Sequence, residues 1–232
     1  IANTSEEQFR REFDCEFLGS ANTLINPTKI KSMAFHNPIQ TNAGLDMYEK
    51  PQEGHTYTIV ADVSRGTNND YSAFIVFDVS TVPYRIVAKY RNNEIKPLLF
   101  PNIIHDVASA YNLAHVLIEV NDIGEQVATS LQFDLEYENL IMASMRGRAG
   151  QIVGGGFSCG KAQLGVRTTK AVKKMGCSNL KQIIETDKLI INDYDLINEF
   201  STFILKGQSY EAEDGHTDDL AMCCVIFAWL VQ

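Results

Sequence analysis

Between Thr56 and Arg91 the chain passes through three apolar, β-branched stretches, at about 56–63, 71–79 and 84–91. A parallel crossover needs a dozen or more residues, so the connections here leave only antiparallel hairpins. The first connection, Ser64-Arg65-Gly66-Thr67-Asn68-Asn69-Asp70, has the composition of a turn. This three-strand start fixes the kind of fold, because the rest of the chain must cover the faces of a sheet. One residue is out of place. Asp62 ends the first stretch among apolar neighbours, and a carboxylate withdrawn from water is costly unless positive charge meets it.

The rest of the chain alternates helix and strand. "PLLFPNIIHDVASAYN" has helical apolar spacing with Pro101 at its start, "AHVLIEV" reads as a buried strand, "IGEQVATSLQFDL" as a helix and "NLIMAS" as a short strand. A Gly-rich basic stretch, 146–165, reads as a loop. After it come a helix over 166–187, a short strand in "KLIIND", and "DLINEFSTFIL" as a helix or a helix plus strand. The last helix runs from about Asp218. Residues 1–55 are polar and broken by "NPT", "NPI" and "KPQEGH", which predicts a helix at about 5–13 and then irregular linker. This order predicts an α/β, ribonuclease H-like (RuvC/integrase-like) mixed sheet: three antiparallel strands, then parallel strands, with helices on both faces. A chain of 232 residues that is 45% hydrophobic has the material for such a core. It contains no apolar run of membrane-spanning length, so no membrane partner is expected.

Carboxylates at element ends are the chemical signal. Asp62 ends the first strand, Glu119 ends the fourth in "VLIEVND", and Asp218 and Asp219 open the last helix in "GHTDDLAM". If the first and fourth strands are neighbours, Asp62 and Glu119 lie side by side, and such like charges repel unless cations intervene. Mg2+ takes oxygen ligands from one or two carboxylates plus substrate phosphate. A pair of divalent ions about 3.5–4 Å apart clamps the attacking and leaving oxygens of a phosphodiester: one activates water, the other stabilises the leaving oxygen. Each acid also has an ordinary reading. Asp218 or Thr217 suits a helix cap, and Asp62 and Glu119 suit strand ends bonded to a turn or paired with Arg65.

Charge is distributed unevenly. The chain has a net charge of −9, yet residues 139–184 hold no Asp or Glu. Within them Arg146, Arg148, Lys161, Arg167, Lys170, Lys173 and Lys174 are candidates for a polyanion-binding face, such as a nucleic acid would need; a solvated loop and helix face is the alternative. "GGFSCGKA" matches the start of a P-loop, but Ala162 supplies no hydroxyl where Mg2+ would need one, so no ATP site is expected. His216 reads as an accessory ligand or an exposed residue, and Trp229 as core. Cysteines at 15, 159, 177, 223 and 224 have no metal-ligand spacing and fit a reducing cytoplasm.

Four segments together resemble the nuclease domain of the large terminase subunit, the DNA-packaging motor of tailed bacteriophages, with the T4-like group nearest. They are "EEQFRREFDCEFLGS" at 6–20, "VADVSRGTNNDYSAFIVFD" at 60–78, "LIEVNDIGEQV" at 117–127 and "GHTDDLAM" at 215–222. The resemblance implies metal ligands at Asp62, Glu119 and one of Asp218 or Asp219, with the His–two residues–Asp spacing from His216 pointing to Asp219. It implies an accessory role for Asp70 and none for Arg65. It further implies an endonuclease that cuts double-stranded viral DNA with low sequence specificity at headful termination, using two Mg2+ or Mn2+ ions. Residues 1–55 would then follow an ATPase domain of the same full-length chain and 56–232 would form the nuclease domain. Expected partners are DNA, portal and the small terminase subunit, in the host cytoplasm. A non-catalytic DNA-gripping module is the alternative. A sugar-kinase or actin-like ATPase would need a duplicated second half, and none is visible.

Overall fold

Residues 22–55, part of the stretch read as linker, are built into the fold. In the computed structural model, which describes residues 22–65, 71–144 and 162–232, helix α1 (Pro27–Ser32) starts at Asn26, whose side chain accepts from Thr28 N at 2.8 Å. Leu24, Ile25 and Ile30 are buried in the main core. Strands β1 (Gln40–Asn42) and β2 (Leu45–Met47) form a hairpin on the edge of the sheet, with β2 antiparallel to β5 (Tyr84–Asn92). Ala43 and Gly44 both take positive φ, the backbone of a tight two-residue hairpin turn. These strands are only three residues long, and β1 is polar and exposed, so neither is long enough for an apolar pattern to mark it. The expected helix at 5–13, Asp70, Arg146, Arg148, Lys161 and the P-loop-like Gly155–Lys161 lie outside the described residues.

The three expected antiparallel strands are present. β3 (Tyr57–Asp62) pairs with β4 (Ser72–Asp78), and β4 pairs with β5. Helix α2 (Phe100–Ala110) returns the chain so that β6 (His115–Ile118) runs parallel to β3, with Ala61 opposite Ile118. The sheet order is β1-β2-β5-β4-β3-β6, and β9 (Leu189–Ile190) adds parallel to β5. Helix α3 (Gly124–Thr129) runs on into a π-helical turn, Ser130–Asp134. Leu140 bridges Val116 in parallel, and β7 (Met142–Ser144) pairs antiparallel with β8 (Ala162–Leu164).

Alternation along the strands divides the core in two. Ile59, Ala61, Val116 and Ile118 pack under α2 and α3 with Phe100, Ile104 and Val127. Val60, Ala73, Ile75 and Leu117 face the opposite layer. That layer contains α4 (Lys170–Glu185), α5 (Tyr194–Thr202) and α6 (Asp219–Leu230), with the hairpin β10 (Phe203–Lys206)–β11 (Ser209–Ala212) following α5. Helix α6 is buried from Asp219 to Trp229 and apolar on every side, as a helix enclosed between a sheet and further helices must be. Phe227 stacks on Phe77 of β4, with ring centroids 3.8 Å apart. At Gly176 an added Cβ would lie 2.4 Å from the Val225 carbonyl oxygen, so glycine lets α4 cross α6 closely. The architecture is the mixed α/β, ribonuclease H-like arrangement, with helices on both faces of a mixed sheet.

Candidate metal centre

Register and alternation bring the acids together. Asp62 follows Ala61 and Glu119 follows Ile118, which are partners in the parallel pair β3–β6. Glu119 N donates to Ala61 O at 2.9 Å, so pairing continues to the end of both strands. Asp62 shares a sheet face with Val60, and Glu119 with Leu117, so both side chains belong to the α6 layer. There the two carboxyls hydrogen-bond to each other. The start of α6 adds Asp219, which is 8% exposed, and the half-buried Asp218.

Burial first, then the charge and hydrogen bond of Glu119, then the charges of Asp219 and Asp218, push the Asp62 carboxyl well above the ordinary range. The leading influences all act in one direction, as burial and neighbouring carboxyls together must. Asp218 is less extreme. Burial raises its pKa, but Lys173 opposes the shift, and Oδ2 accepts from Ala212 N at 3.2 Å. Asp219 thus crowds Asp62 more than Asp218 does, while Asp218 is tied to β11 and α4. Arg65 does not serve Asp62; it forms a bidentate pair with exposed Asp122, at 2.6 and 2.7 Å.

Several supporting residues were given no role in the sequence. Asn121 Nδ2 donates to Glu119 Oε1 at 2.8 Å, fixing that carboxylate from two residues along the chain. Gly124 brings its Cα so close to Glu119 that an added Cβ would stand 1.9 Å from the Glu119 carbonyl oxygen. Buried Glu199, from α5, accepts from Ala221 N at 2.8 Å and meets Arg91 at 3.2 Å. Burial pushes its carboxyl up to about 8, against the pull of Arg91 and the Ala221 N–H. One signal for Glu199 was present in the sequence: it stands three residues after Leu196 and one before Phe200, on the apolar side of its helix.

The remaining expected residues are spread more widely. Arg167, Lys170 and Lys174 are exposed around the start of α4, where Val166 bridges Glu119. Lys173 is half-buried, acts on Asp218 and lies 5.8 Å from the Phe203 ring centroid. His216 is exposed and lines a polar crevice of about 240 Å3 with Tyr71, Arg91, Glu199 and Thr217. Trp229 is core, as expected.

Among the described residues no three His, Cys, Asp or Glu side chains are already gathered tightly enough to hold an ion. The donor set nonetheless fits a hard divalent cation. It is all carboxylate, its two central members touch, and a third acid adds to their crowding.

A family profile described as the terminase RNaseH-like domain matches residues 59–228, from β3 almost to the end of α6. This chain belongs to that family. Solved structures agree on the fold. The large terminase nuclease of thermophilic phage G20c with bound magnesium is 18% identical, with a TM-score of 0.68 over 91% of this chain and 98% of that one. The Thermus phage P74-26 large terminase nuclease domain, also 18% identical, gives 0.63 over 88% and 93%. The P22 large terminase nuclease domain gives 0.51 at 11% identity, over 91% and 93%. The acids of this terminase domain thus stand on the fold of nucleases, one of which was crystallised with magnesium.

Proposed function

We propose that this terminase domain is a Mg2+- or Mn2+-dependent endonuclease that cuts double-stranded viral DNA with low sequence specificity, ending headful packaging. The observation that carries the reading is the contact between the Asp62 and Glu119 carboxyls, with Asp219 beside them, in a member of the terminase family. Asp62 and Glu119 would be the central ligands, Asp219 the third, and Asp218 a flanking acid held by Ala212 N and Lys173. Two bound ions would supply an activated water and charge stabilisation at the leaving 3′ oxygen.

The chain's own residues do the rest. Asn121 holds the Glu119 carboxylate in one orientation. Arg167, Lys170 and Lys174 grip backbone phosphates beside the acids, contacts that carry no sequence information. Arg146, Arg148, Lys161 and Lys173 complete the proposed DNA-facing set, and Asp70 and His216 would be accessory to the metal centre. The T4-like group as nearest lineage, a preceding ATPase domain joined through residues 1–55, portal and small terminase as partners, and action in the host cytoplasm belong to the same proposal. They rest on the segments quoted from the sequence. Among the described residues no helix is long and apolar enough to cross a membrane.

Asp62→Ala is expected to abolish plasmid cutting in Mg2+ or Mn2+ while leaving the circular dichroism spectrum unchanged; undiminished cutting would contradict the proposal. A DNA-gripping module is the second reading, favoured by the exposed cations of α4 alone. It predicts parental DNA binding with Asp62 and Glu119 both dispensable and no calorimetric response to Mn2+.

A further inference from the structure

Helix α6 opens with two acids, and the first of them does not secure its end. The four N–H groups of a helix's first turn lack partners within the helix, and the N-cap side chain ordinarily takes one. Asp218, the N-cap residue here, makes no such capping bond; its Oδ2 accepts from Ala212 N instead. The N–H of Ala221 is satisfied from another element, by Oε2 of Glu199 at 2.8 Å. The second oxygen of that carboxyl reaches back across the acid pair, where Thr217 Oγ1 donates to Oε1 at 3.5 Å. Arg91 closes the arrangement. Its Nη2 stands 3.2 Å from Glu199 Oε1 and donates to Thr217 Oγ1 at 2.6 Å, and its guanidinium lies 4.0 Å over the Tyr71 ring.

Glu199 therefore grips the chain on both sides of the acid pair, at Thr217 before it and Ala221 after it. The side chain is 4% exposed, a costly place for a carboxyl whose only task would be to link two helices. The geometry points to Glu199 as a positioning residue of the metal centre: held by Arg91, it fixes the start of α6, and with it Asp219, beside Asp62 and Glu119. This inference rests on the reading that those acids bind Mg2+ or Mn2+. A residue that only joins α5 to α6 would change melting temperature and leave metal affinity alone.

The test uses the chain Ile1–Gln232 carrying Glu199→Ala, Glu199→Asp or Glu199→Gln, with Asp62→Ala as reference. Mn2+ binding without DNA is read by calorimetry, plasmid cutting across a Mn2+ series, and melting by circular dichroism. Glu199→Ala is expected to weaken Mn2+ binding, and to raise the Mn2+ needed for half-maximal cutting, by about 10–100-fold, the usual cost of losing a group that orients metal ligands. Glu199→Asp, whose carboxylate stops one methylene short of Ala221, is expected to lose affinity in the same direction with the fold kept. Glu199→Gln retains an oxygen for the Ala221 N–H and is expected to keep most of the affinity. Parental Mn2+ affinity in Glu199→Asp overturns the inference, whatever the melting temperatures and whether or not Glu199→Ala folds. So does a loss in Glu199→Gln as large as in Glu199→Asp. Parental Mn2+ affinity in Asp62→Ala overturns the metal reading itself. Weakened binding there, with parental binding in the Glu199 variants, removes only the positioning role.

Discussion

Asn121 and Glu199 show how single side chains support the acid cluster. Asn121 reaches Glu119 at 2.8 Å and leans towards Thr168 O at 3.5 Å, so its amide lies between the carboxylate and the start of α4. Asn121→Ala should weaken Mn2+ binding about tenfold, as loss of a ligand-orienting hydrogen bond does. Asn121→Asp breaks the same hydrogen bond but adds a negative charge that attracts the cation, so its loss should be smaller; calorimetry reads both. At the far end of β4, Asp78 is buried with Arg85 at 2.6 Å and His55 at 2.7 Å. Burial acts to raise its pKa, but hydrogen bonds from Ser80, His55 and Arg85 together hold it down at about 2. Its folded pKa lies below the unfolded value, so its stabilisation is present above pH of about 4. That stabilisation should be lost as pH falls towards 2, and Asp78→Asn should flatten that limb of an acid unfolding curve. Asp62, Glu119 and Asp219 were legible in the sequence because each is an acid at the end of an apolar element. The roles of Asn121 and Glu199 were not, although Glu199 stands on the apolar side of its helix, because their partners are set by folding: Glu199 meets Ala221 across two helices and a hairpin.

Among the elements, α6 does the most positioning, and its neighbours are fitted to it. Gly176→Ala would place a Cβ 2.4 Å from the Val225 carbonyl oxygen, so α4 must move away from α6. We expect it to destabilise the fold by about 1–3 kcal/mol in urea titration, the usual cost of overpacking. The long apolar elements were legible: β3, β4 and β5 fall on the expected stretches, and the helix expected over 166–187 occupies Lys170–Glu185. The segment "DLINEFSTFIL" divides into helix and strand where β10 pairs with β11. Short polar elements were hidden, as β1 and β2 show. Their pairing is specified by the edge of β5, which exists only once the sheet has formed.

Across the whole molecule the charge asymmetry acquires a direction. The acid cluster lies at one end of β3 and β6, and the exposed cations Arg167, Lys170 and Lys174 start α4 beside it. Replacing these three by Gln should weaken DNA binding about equally for every sequence. It should also lower the slope of log affinity against log salt by about 0.9 per lost phosphate contact. The central claim is that Asp62, Glu119 and Asp219 form the metal centre of a packaging nuclease. A crystal of this domain soaked in Mn2+ tests it most directly, through anomalous density. The account predicts a peak held by Asp62 and Glu119, with Asp219 turned towards it. Density at other residues, with none at this pair in crystals of a protein that cuts DNA in Mn2+, would contradict it.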